Sequence, residues 1–313
     1  MVLAAGLGVR MRPLTERRAK PVLPVLDRPL IEYTLQRLAR AGVTDVVVNL
    51  HHRPASVRRV VGDGLRFGLR VRYSYEREAL GTGGGPRKAL GLLGEGPVLL
   101  VNGDVLFDFD LRALVERHRR AGVVATLALK PNPDPARYGP IVTDRRGSIL
   151  ALAGKPRPAR GRVSLFTGVH VLDPALLSRL RPGPSDSVRD LYAPLVAEGV
   201  RLAGVRVKGA WYDLGGPSEY LAAQRRLLRR RRSGRMVHPT ARIAGGARVT
   251  ASVVGPQARI GAGALVSGSV LWERVAVGSG ATVRGSILAD GVRIAAGESV
   301  VGRVITKTER GRL

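Results

Sequence analysis

Hydrophobic positions follow two regimes along the chain. Up to about residue 222, short continuous apolar runs alternate with segments in which apolar residues recur every three or four positions. From residue 237 onward, aliphatic residues recur every five or six. The first regime predicts strands and helices in alternation. The run ending at Leu3-Ala4-Ala5 reads as a strand, and 29–41 carries Leu30, Ile31, Leu35, Leu38 and Ala39 at helical spacing, with Pro29 near the start and Gly42 at the end. Val46-Val47-Val48-Asn49-Leu50 and 69–73 predict strands. Val98-Leu99-Leu100-Val101 predicts another, and Leu111, Leu114 and Val115 a helix capped by Asp108 or Asp110. A hairpin is expected around Arg145-Arg146-Gly147, a strand at 166–171, a helix at 188–197, a strand at 202–207 and a helix from 217. Such alternation predicts an α/β domain with a mostly parallel, Rossmann-like sheet.

The second regime repeats every 17 residues. Val237, Val254, Leu271 and Leu288 form one column, Ile243, Ile260, Val277 and Ile294 a second, and Val249, Val266, Val283 and Val300 a third. Steps of six, six and five residues, with Gly246, Gly263, Gly280 and Gly297 in phase, predict a three-sided parallel β-helix whose stacked coils bury the columns. Four coils are present, with Val304-Ile305 starting a fifth. The domain reading is a catalytic domain at 1–222, a basic linker at 223–236, the β-helix at 237–305 and a tail at 306–313.

Composition narrows the class. No apolar run approaches the ~20 residues of a membrane helix, the 313 residues include no cysteine, and Met1 leads directly into an apolar run with no charged leader. The cytoplasm is the expected compartment, with no membrane partner. With 52 Lys+Arg against 24 Asp+Glu, the net charge is +28. Such a chain attracts polyanions at low salt. Its cations, however, are spread along the whole sequence and aromatics make up only 4%, so no dedicated nucleic-acid partner is expected. The arginine run at 225–235 reads as a solvated helix end.

The candidate chemistry begins at the first strand's outlet, Ala4-Ala5-Gly6-Leu7-Gly8-Val9-Arg10, followed by Lys20-Pro21 and Pro24. Five cations stand between Arg10 and Lys20 against one acid, Glu16. Glycines let backbone N–H groups approach an anion, and Arg and Lys neutralise it. The spacing fits neither the Walker nor the dinucleotide fingerprint. Taken alone it suits a basic surface turn as well as a phosphate loop. The strand at 98–101 ends in Asn102-Gly103-Asp104, a carboxylate at the strand end where α/β sheets bind ligands and where Mg²⁺ bridges to phosphates. Asp213, after Trp211-Tyr212, stands at a second strand-to-loop transition. Leu80-Gly81-Thr82-Gly83-Gly84-Gly85 reads as a glycine-rich loop opening a helix near Pro86. Gly168 lies inside a strand, where a ligand can approach the backbone, and His170 reads as a packed strand residue.

The spacing from Gly6 and Gly8 through Arg10, Pro13 and Lys20-Pro21 to Pro24 resembles the signature of the nucleoside-diphosphate-sugar pyrophosphorylases, the sugar-1-phosphate nucleotidyltransferases. The likeness covers essentially the whole chain, with a C-terminal left-handed β-helix as in mannose-1-phosphate guanylyltransferases. Thr82-Gly83-Gly84-Gly85 and Asn102-Gly103-Asp104-Val105 also resemble N-acetylmuramate-1-phosphate uridylyltransferases. The resemblance implies attack by a sugar 1-phosphate on a nucleoside triphosphate, with Mg²⁺ on Asp104 and Asp213 and with Arg10 and Lys20 on the phosphates. It implies a nucleotide site of Ala4, Gly6, Gly8, Val9, Arg10, Lys20, Glu78, Gly81, Thr82, Asn102 and Asp104, and a sugar-phosphate pocket at Gly139, Lys155 and Gly168. It further implies a homo-oligomer built through the β-helix. An acyltransferase role for the β-helix would need a histidine, and only His238 stands there. Val9, Ala19 and Gly154 depart from the usual Thr, Pro and Glu, and the chain begins two or three residues later than is usual. Base and sugar stay open, with GTP and mannose 1-phosphate preferred over uridylyl or thymidylyl transfer to N-acetylmuramate, glucose or N-acetylglucosamine 1-phosphate. Some members of this superfamily are non-catalytic regulatory subunits, a reading against which the retained Arg10, Lys20, Asp104 and Asp213 argue.

Overall fold

The computed structural model describes residues 1–153, 160–307 and 310–312. In chain order the first part comprises β1 (Val2–Leu3), β2 (Pro24–Val25), β3 (Arg28–Pro29), α1 (Leu30–Arg40), β4 (Asp45–Leu50), α2 (Pro54–Val61), β5 (Arg70–Tyr75), α3 (Gly81–Lys88), β6 (Val98–Asn102) and β7 (Val105–Phe107). It continues with α4 (Leu111–Ala121), β8 (Ala125–Pro131), β9 (Ile141–Thr143), β10 (Ile149–Leu152), β11 (Arg162–Leu172), α5 (Ala193–Ala197), β12 (Ala203–Arg206), β13 (Trp211–Asp213) and α6 (Pro217–Leu228). Two compact units form. One is Met1–Leu7 with Ile31–Trp211, the other Gly8–Leu30 with Tyr212–Leu313.

In the first unit a nine-stranded sheet runs β10-β9-β11-β6-β1-β4-β5, with β8 and β12 extending from β11. Its centre is parallel, with Val2 opposite Val48 on β4 and Val101 on β6, all three fully buried. Near-continuous apolar runs are what strands buried on both faces require. The sheet is mixed where a mostly parallel one is expected. The β1–β4, β1–β6, β4–β5 and β8–β12 pairs are parallel, while β11 runs antiparallel to β6, β8 and β9, and β9 to β10. The predicted hairpin at Arg145-Arg146-Gly147 is the β9–β10 turn.

Three local expectations are corrected. The glycine-rich segment is not a loop leading to Pro86: residues Gly81–Lys88 are themselves helical. The predicted helix at 188–197 is a π-turn over Ser187–Tyr192 followed by the five-residue α5, with Asp186 capping Val188 and Arg189. Of the two candidate caps only Asp110 caps α4, accepting from Arg112 N at 2.8 Å and Ala113 N at 3.1 Å. Asp108 instead accepts from Ala210 N, and its carboxylate stands where a Cβ on Gly209 would be.

In the second unit the repeat folds as read. Three sheets stack with a 17-residue register, pairing Val237 with Val254, Ile243 with Ile260 and Val249 with Val266, and so on through Leu288–Ile305. From the second coil the columns are sealed, with Val254, Leu271, Leu288, Val266 and Val283 all at 0% exposure, whereas Ile243 in the first coil is 38% exposed. His238 Nδ1 lies 2.9 Å from Thr240 Oγ1 and 3.2 Å from Thr240 N, tying its own turn together. Between the columns runs a buried serine ladder: Ser252 Oγ accepts from Ser269 N at 3.0 Å, Ser269 Oγ from Ser286 N at 3.1 Å, and Ser286 Oγ from Arg303 N at 3.1 Å. Two cations of the arginine run reach onto the coils, half-buried Arg225 donating to Gly268 O and exposed Arg235 to Val249 O. Among the described residues no helix is long and apolar enough to cross a membrane.

Candidate functional site

The parallel strands β6, β1, β4 and β5 all end on one edge of the sheet, and a buried polar chain crosses that edge. Ala4 N, just past β1, donates to Asn49 Oδ1 at 2.7 Å, Asn49 Nδ2 donates to Glu76 Oε1 at 2.6 Å, and Glu76 Oε2 accepts from Leu80 N at 2.9 Å. Asn49 is 2% and Glu76 6% exposed. These two residues fix the outlets of β1, β4 and β5 and the start of α3. Asn49 closes its predicted strand as the one polar residue before Leu50, and that is the only trace they leave in the sequence. The nearby acid singled out there, Glu78, is exposed on the surface.

The glycines of α3 answer to this chain and to the segment across from it. A Cβ on Gly85 would stand 2.6 Å from Asn49 Nδ2 and 2.7 Å from Glu76 Oε1, and one on Gly83 2.8 Å from Ser185 Oγ. Gly81 has φ +75° and faces Ser185 O. The Thr82 hydroxyl, expected at a base, is engaged inside the protein. It donates to Asp186 Oδ2 at 3.1 Å and accepts from Ser187 N at 2.9 Å. What Gly81 and Thr82 hold in this structure is the 185–187 turn.

At the next outlet, Gly103 N donates to Leu3 O at 2.8 Å, continuing the β6–β1 ladder by one residue and setting half-buried Asp104 just beyond the sheet edge. Asn102 packs on Gly168, whose φ is +76° and whose Cβ would stand 2.7 Å from Asn102 Nδ2. The close approach expected at this strand glycine is therefore filled by Asn102, and it coincides with the register shift of β11 between Phe166 and His170. Beside it, Trp211 Nε1 donates to Thr167 O at 2.9 Å and its ring meets the Tyr138 ring edge-on at 5.7 Å. Asn102, Gly168, Trp211 and the Tyr138–Gly139 turn thus form one neighbourhood in the first unit. Gly154 and Lys155 lie outside the described residues.

The cationic loop belongs to the second unit. Gly8 has φ +64°, and a Cβ there would stand 2.9 Å from Thr15 Cγ2, while Thr15 Oγ1 donates to Gly8 O at 2.8 Å. The glycine is thereby demanded twice, and the fold-back makes a 3₁₀ turn over Val9–Met11 that leaves Val9 and Arg10 exposed. Gly6 has no such constraint: a Cβ there would meet nothing within 4 Å. Lys20 opens a second 3₁₀ turn, Lys20–Val22, and is 7% exposed. The Arg10 carbonyl lies 3.5 Å from where a Cβ on Gly216 would be, so the loop runs beside the turn that follows Asp213. His170 is buried as expected, 2.6 Å from the Tyr192 hydroxyl. Burial, and secondarily the charge of the Met1 amino group, lower its pKa to about 3, so it stays neutral.

Residues 1–230 match the family model described as nucleotidyl transferase. The chain belongs to this family. Residues 228–309 match the GlmU-like, C-terminal hexapeptide model, in keeping with the three-sided β-helix read from the repeat and with the left hand that the resemblance implies. Similar proteins include the UTP–glucose-1-phosphate uridylyltransferase of Synechocystis, 32% identical over 74% of this chain and 63% of that protein. Mannose-1-phosphate guanylyltransferase of Mycobacterium tuberculosis is 32% identical over 79% of this chain and 72% of its own. The chain thus spans somewhat less than two-thirds of the Synechocystis protein. A crystal structure of a putative glucose-1-phosphate thymidylyltransferase from Bacillus anthracis superposes with a TM-score of 0.62 at 23% identity, covering 71% of this chain and 92% of that one, a likeness of fold.

Among the described residues no group of three or more His, Asp or Glu side chains forms a ready-made metal cage. Mg²⁺ does not require one, because it is commonly held by one or two carboxylates with the remaining positions taken by waters and substrate phosphates. A donor set of carboxylates without thiolates suits that ion.

Proposed function

We propose that the protein transfers a nucleotidyl group from a nucleoside triphosphate to a sugar 1-phosphate, giving a nucleoside-diphosphate sugar and pyrophosphate, with GTP and mannose 1-phosphate as the preferred pair. The observation that carries the reading is the outlet of β6. Asp104 stands one residue beyond the parallel sheet edge, next to the outlet of β1 that leads into Gly6, Gly8 and Arg10. The guanylyl preference draws on the mycobacterial relative and the eukaryotic mannose-1-phosphate guanylyltransferases similar to this chain. The Synechocystis relative supports uridylyl transfer to glucose 1-phosphate as the second reading.

In this reading an oxygen of the sugar phosphate attacks the α-phosphorus, the bond from that phosphorus to the bridging oxygen breaks, and pyrophosphate leaves with the electron pair. Catalysis rests on alignment and on charge neutralisation. Two unit like charges 4 Å apart repel by about 4 kcal/mol at an effective dielectric of 20. The backbone at Gly6–Gly8 and the Arg10 guanidinium hold the β- and γ-phosphates, and the Lys20 ammonium holds the α-phosphate. Asn102 and Asp104 bound the nucleotide side, while Gly139 and Lys155 take the sugar phosphate and Gly168 serves by seating Asn102. Asp104 and Asp213 would hold Mg²⁺, which when bound neutralises phosphate charge. The β-helix serves assembly or regulation, with His238 confined to its own turn; light scattering on the full chain reports the oligomer.

A pyrophosphate-release screen of each nucleoside triphosphate against mannose, glucose, N-acetylglucosamine and N-acetylmuramate 1-phosphates tests the reading. Turnover with one pair is expected, and Asp104→Ala or Lys20→Ala lowers it by a factor on the order of 10² or more at unchanged melting temperature. Silence with every pair would reassign the chain as a regulatory subunit.

A further inference from the structure

Within the second unit the loop that carries Arg10 and Lys20 is anchored on both sides of Lys20, and the two anchors meet at one residue of the β-helix. Upstream, Arg18 pairs with the Asp290 carboxylate, and its guanidinium carbon lies 5.0 Å from the centroid of the Trp272 ring. Downstream, Pro24 O accepts from the Tyr220 hydroxyl and from Gln224 Nε2 at 2.9 Å, while Gln224 Oε1 accepts from Leu26 N at 2.9 Å. The Tyr220 hydroxyl in turn accepts from Trp272 Nε1 at 3.0 Å. Trp272 thus holds Arg18 on its face and, through Tyr220, Pro24 on its edge. Tyr220 and Gln224 are 0% and 1% exposed and Trp272 4%, so these bonds are sheltered from water and from salt.

The repeat itself marks the place. In register with Trp272 the other coils carry His238, Gly255 and Ala289, so a single tryptophan interrupts a column of smaller residues. A stacking column needs no indole, and burying one requires a partner for its N–H. Between the anchors Lys20 has little freedom. Val22 N donates to Ala19 O and Leu23 N to Lys20 O, each at 3.1 Å, closing the turn that carries the ammonium.

We infer that Trp272, with Arg18, Asp290 and Tyr220, is a positioning residue for the triphosphate loop, so that the β-helix sets the placement of Lys20. This rests on the reading of Lys20 as a phosphate ligand. The β-helix is then part of the catalytic apparatus without touching substrate, and an event that loosens the third and fourth coils weakens nucleotide binding.

The test compares Tyr220→Phe, Trp272→Phe and Asp290→Asn with the wild-type full chain. Tyr220→Phe removes the hydroxyl that joins Pro24 to Trp272, Trp272→Phe the indole N–H and Asp290→Asn the charge facing Arg18, and each keeps most of the packing. Loss of a buried hydrogen bond predicts KM for the nucleoside triphosphate rising roughly tenfold, with KM for the sugar phosphate unchanged. The same variants are treated with an amine-acetylating reagent and read by mass spectrometry. Acetylation of Lys20 is expected to quicken several-fold, with exposed Lys208 as the internal reference. Asp290→Glu, which keeps the ion pair, is expected to restore both values. A purely structural role would lower melting temperature while leaving the KM ratio and Lys20 reactivity as they are, and that result overturns the inference. Should the wild type release no pyrophosphate with any pair, the functional reading fails. The labelling still decides whether the anchors place Lys20, and unchanged labelling overturns that placement as well.

Discussion

Asn49 joins three strand ends through one amide. Its oxygen takes the Ala4 N–H and its nitrogen gives to Glu76, both within a pocket from which water is excluded. The geometry fixes which end of the amide faces which neighbour, because only the nitrogen end suits a carboxylate. Asn49→Asp would set two carboxylates face to face in a buried place, where like charges cannot both ionise cheaply. We predict a loss of about 3 kcal/mol or more at pH 8, part of it regained near pH 5 as the pair takes up a shared proton. Guanidinium melts at the two pH values read this directly, and an Asp variant as stable as wild type at pH 8 would refute the assigned chain of bonds. Asn49→Leu, which leaves Ala4 N–H and the Glu76 oxygen unpaired, is expected to lose about 2–4 kcal/mol with no such pH recovery.

At the scale of elements, the β-helix and α3 differ in how much of them the sequence announces. The three aliphatic columns are periodic, and periodicity is a direct image of stacking, so each register from Val237–Val254 to Leu288–Ile305 is legible before any coordinates. The serine ladder has the same period and joins buried backbone donors to hydroxyls of the preceding coil. Ser269→Ala removes the acceptor for Ser286 N and is expected to cost about 1–3 kcal/mol, against a few tenths for exposed Ser279→Ala; thermal melts of the two variants test the contrast. α3 was not legible because Gly81, Gly83 and Gly85 are demanded by neighbours distant in sequence, Ser185 and the Asn49–Glu76 pair. A run of glycines reads as freedom when it is in fact close packing. The same holds at the site. Asp104 and the loop from Gly6 to Lys20 are readable because glycines and charged residues stand out where they interrupt apolar runs at strand ends, whereas Asn49 and Glu76 act on the backbone and leave no motif. The tie between Arg18 and Trp272 joins residues more than 250 positions apart and has no period to reveal it.

For the molecule as a whole, the +28 net charge and the buried His170 both work against stability in acid. His170 lies on β11, between β6 and β8 at the centre of the first unit, with Tyr192 on its Nδ1 and Phe166 edge-on at 5.2 Å. Its pKa is about 3 in the folded protein against 6.5 for the free side chain. Below about pH 6.5 the unfolded chain therefore binds a proton that the folded one refuses, and stability falls as pH drops, by up to about 1.4 kcal/mol per pH unit for this one group, levelling near the folded pKa. Asp45 and Asp190 act in the same direction at lower pH. Their carboxylates are held at about 2, chiefly by hydrogen bonds from Arg70 and Arg189, so their contribution is present above 3.8 and lost as pH falls below it. Protonating the 24 acids meanwhile leaves 52 cations without counter-charge, and the compact state repels itself. Stability is thus expected to be greatest at neutral to mildly alkaline pH and to fall steadily from pH 6.5 to pH 4. Replacing His170 by Gln, which keeps an acceptor for Tyr192 but does not titrate, is expected to flatten that slope while lowering stability at pH 8 through imperfect packing. Denaturant melts of both proteins from pH 8 to pH 4 separate the terms. Parallel slopes would place the acid sensitivity in the net charge, and a flattened slope in the Gln variant would place it in the core.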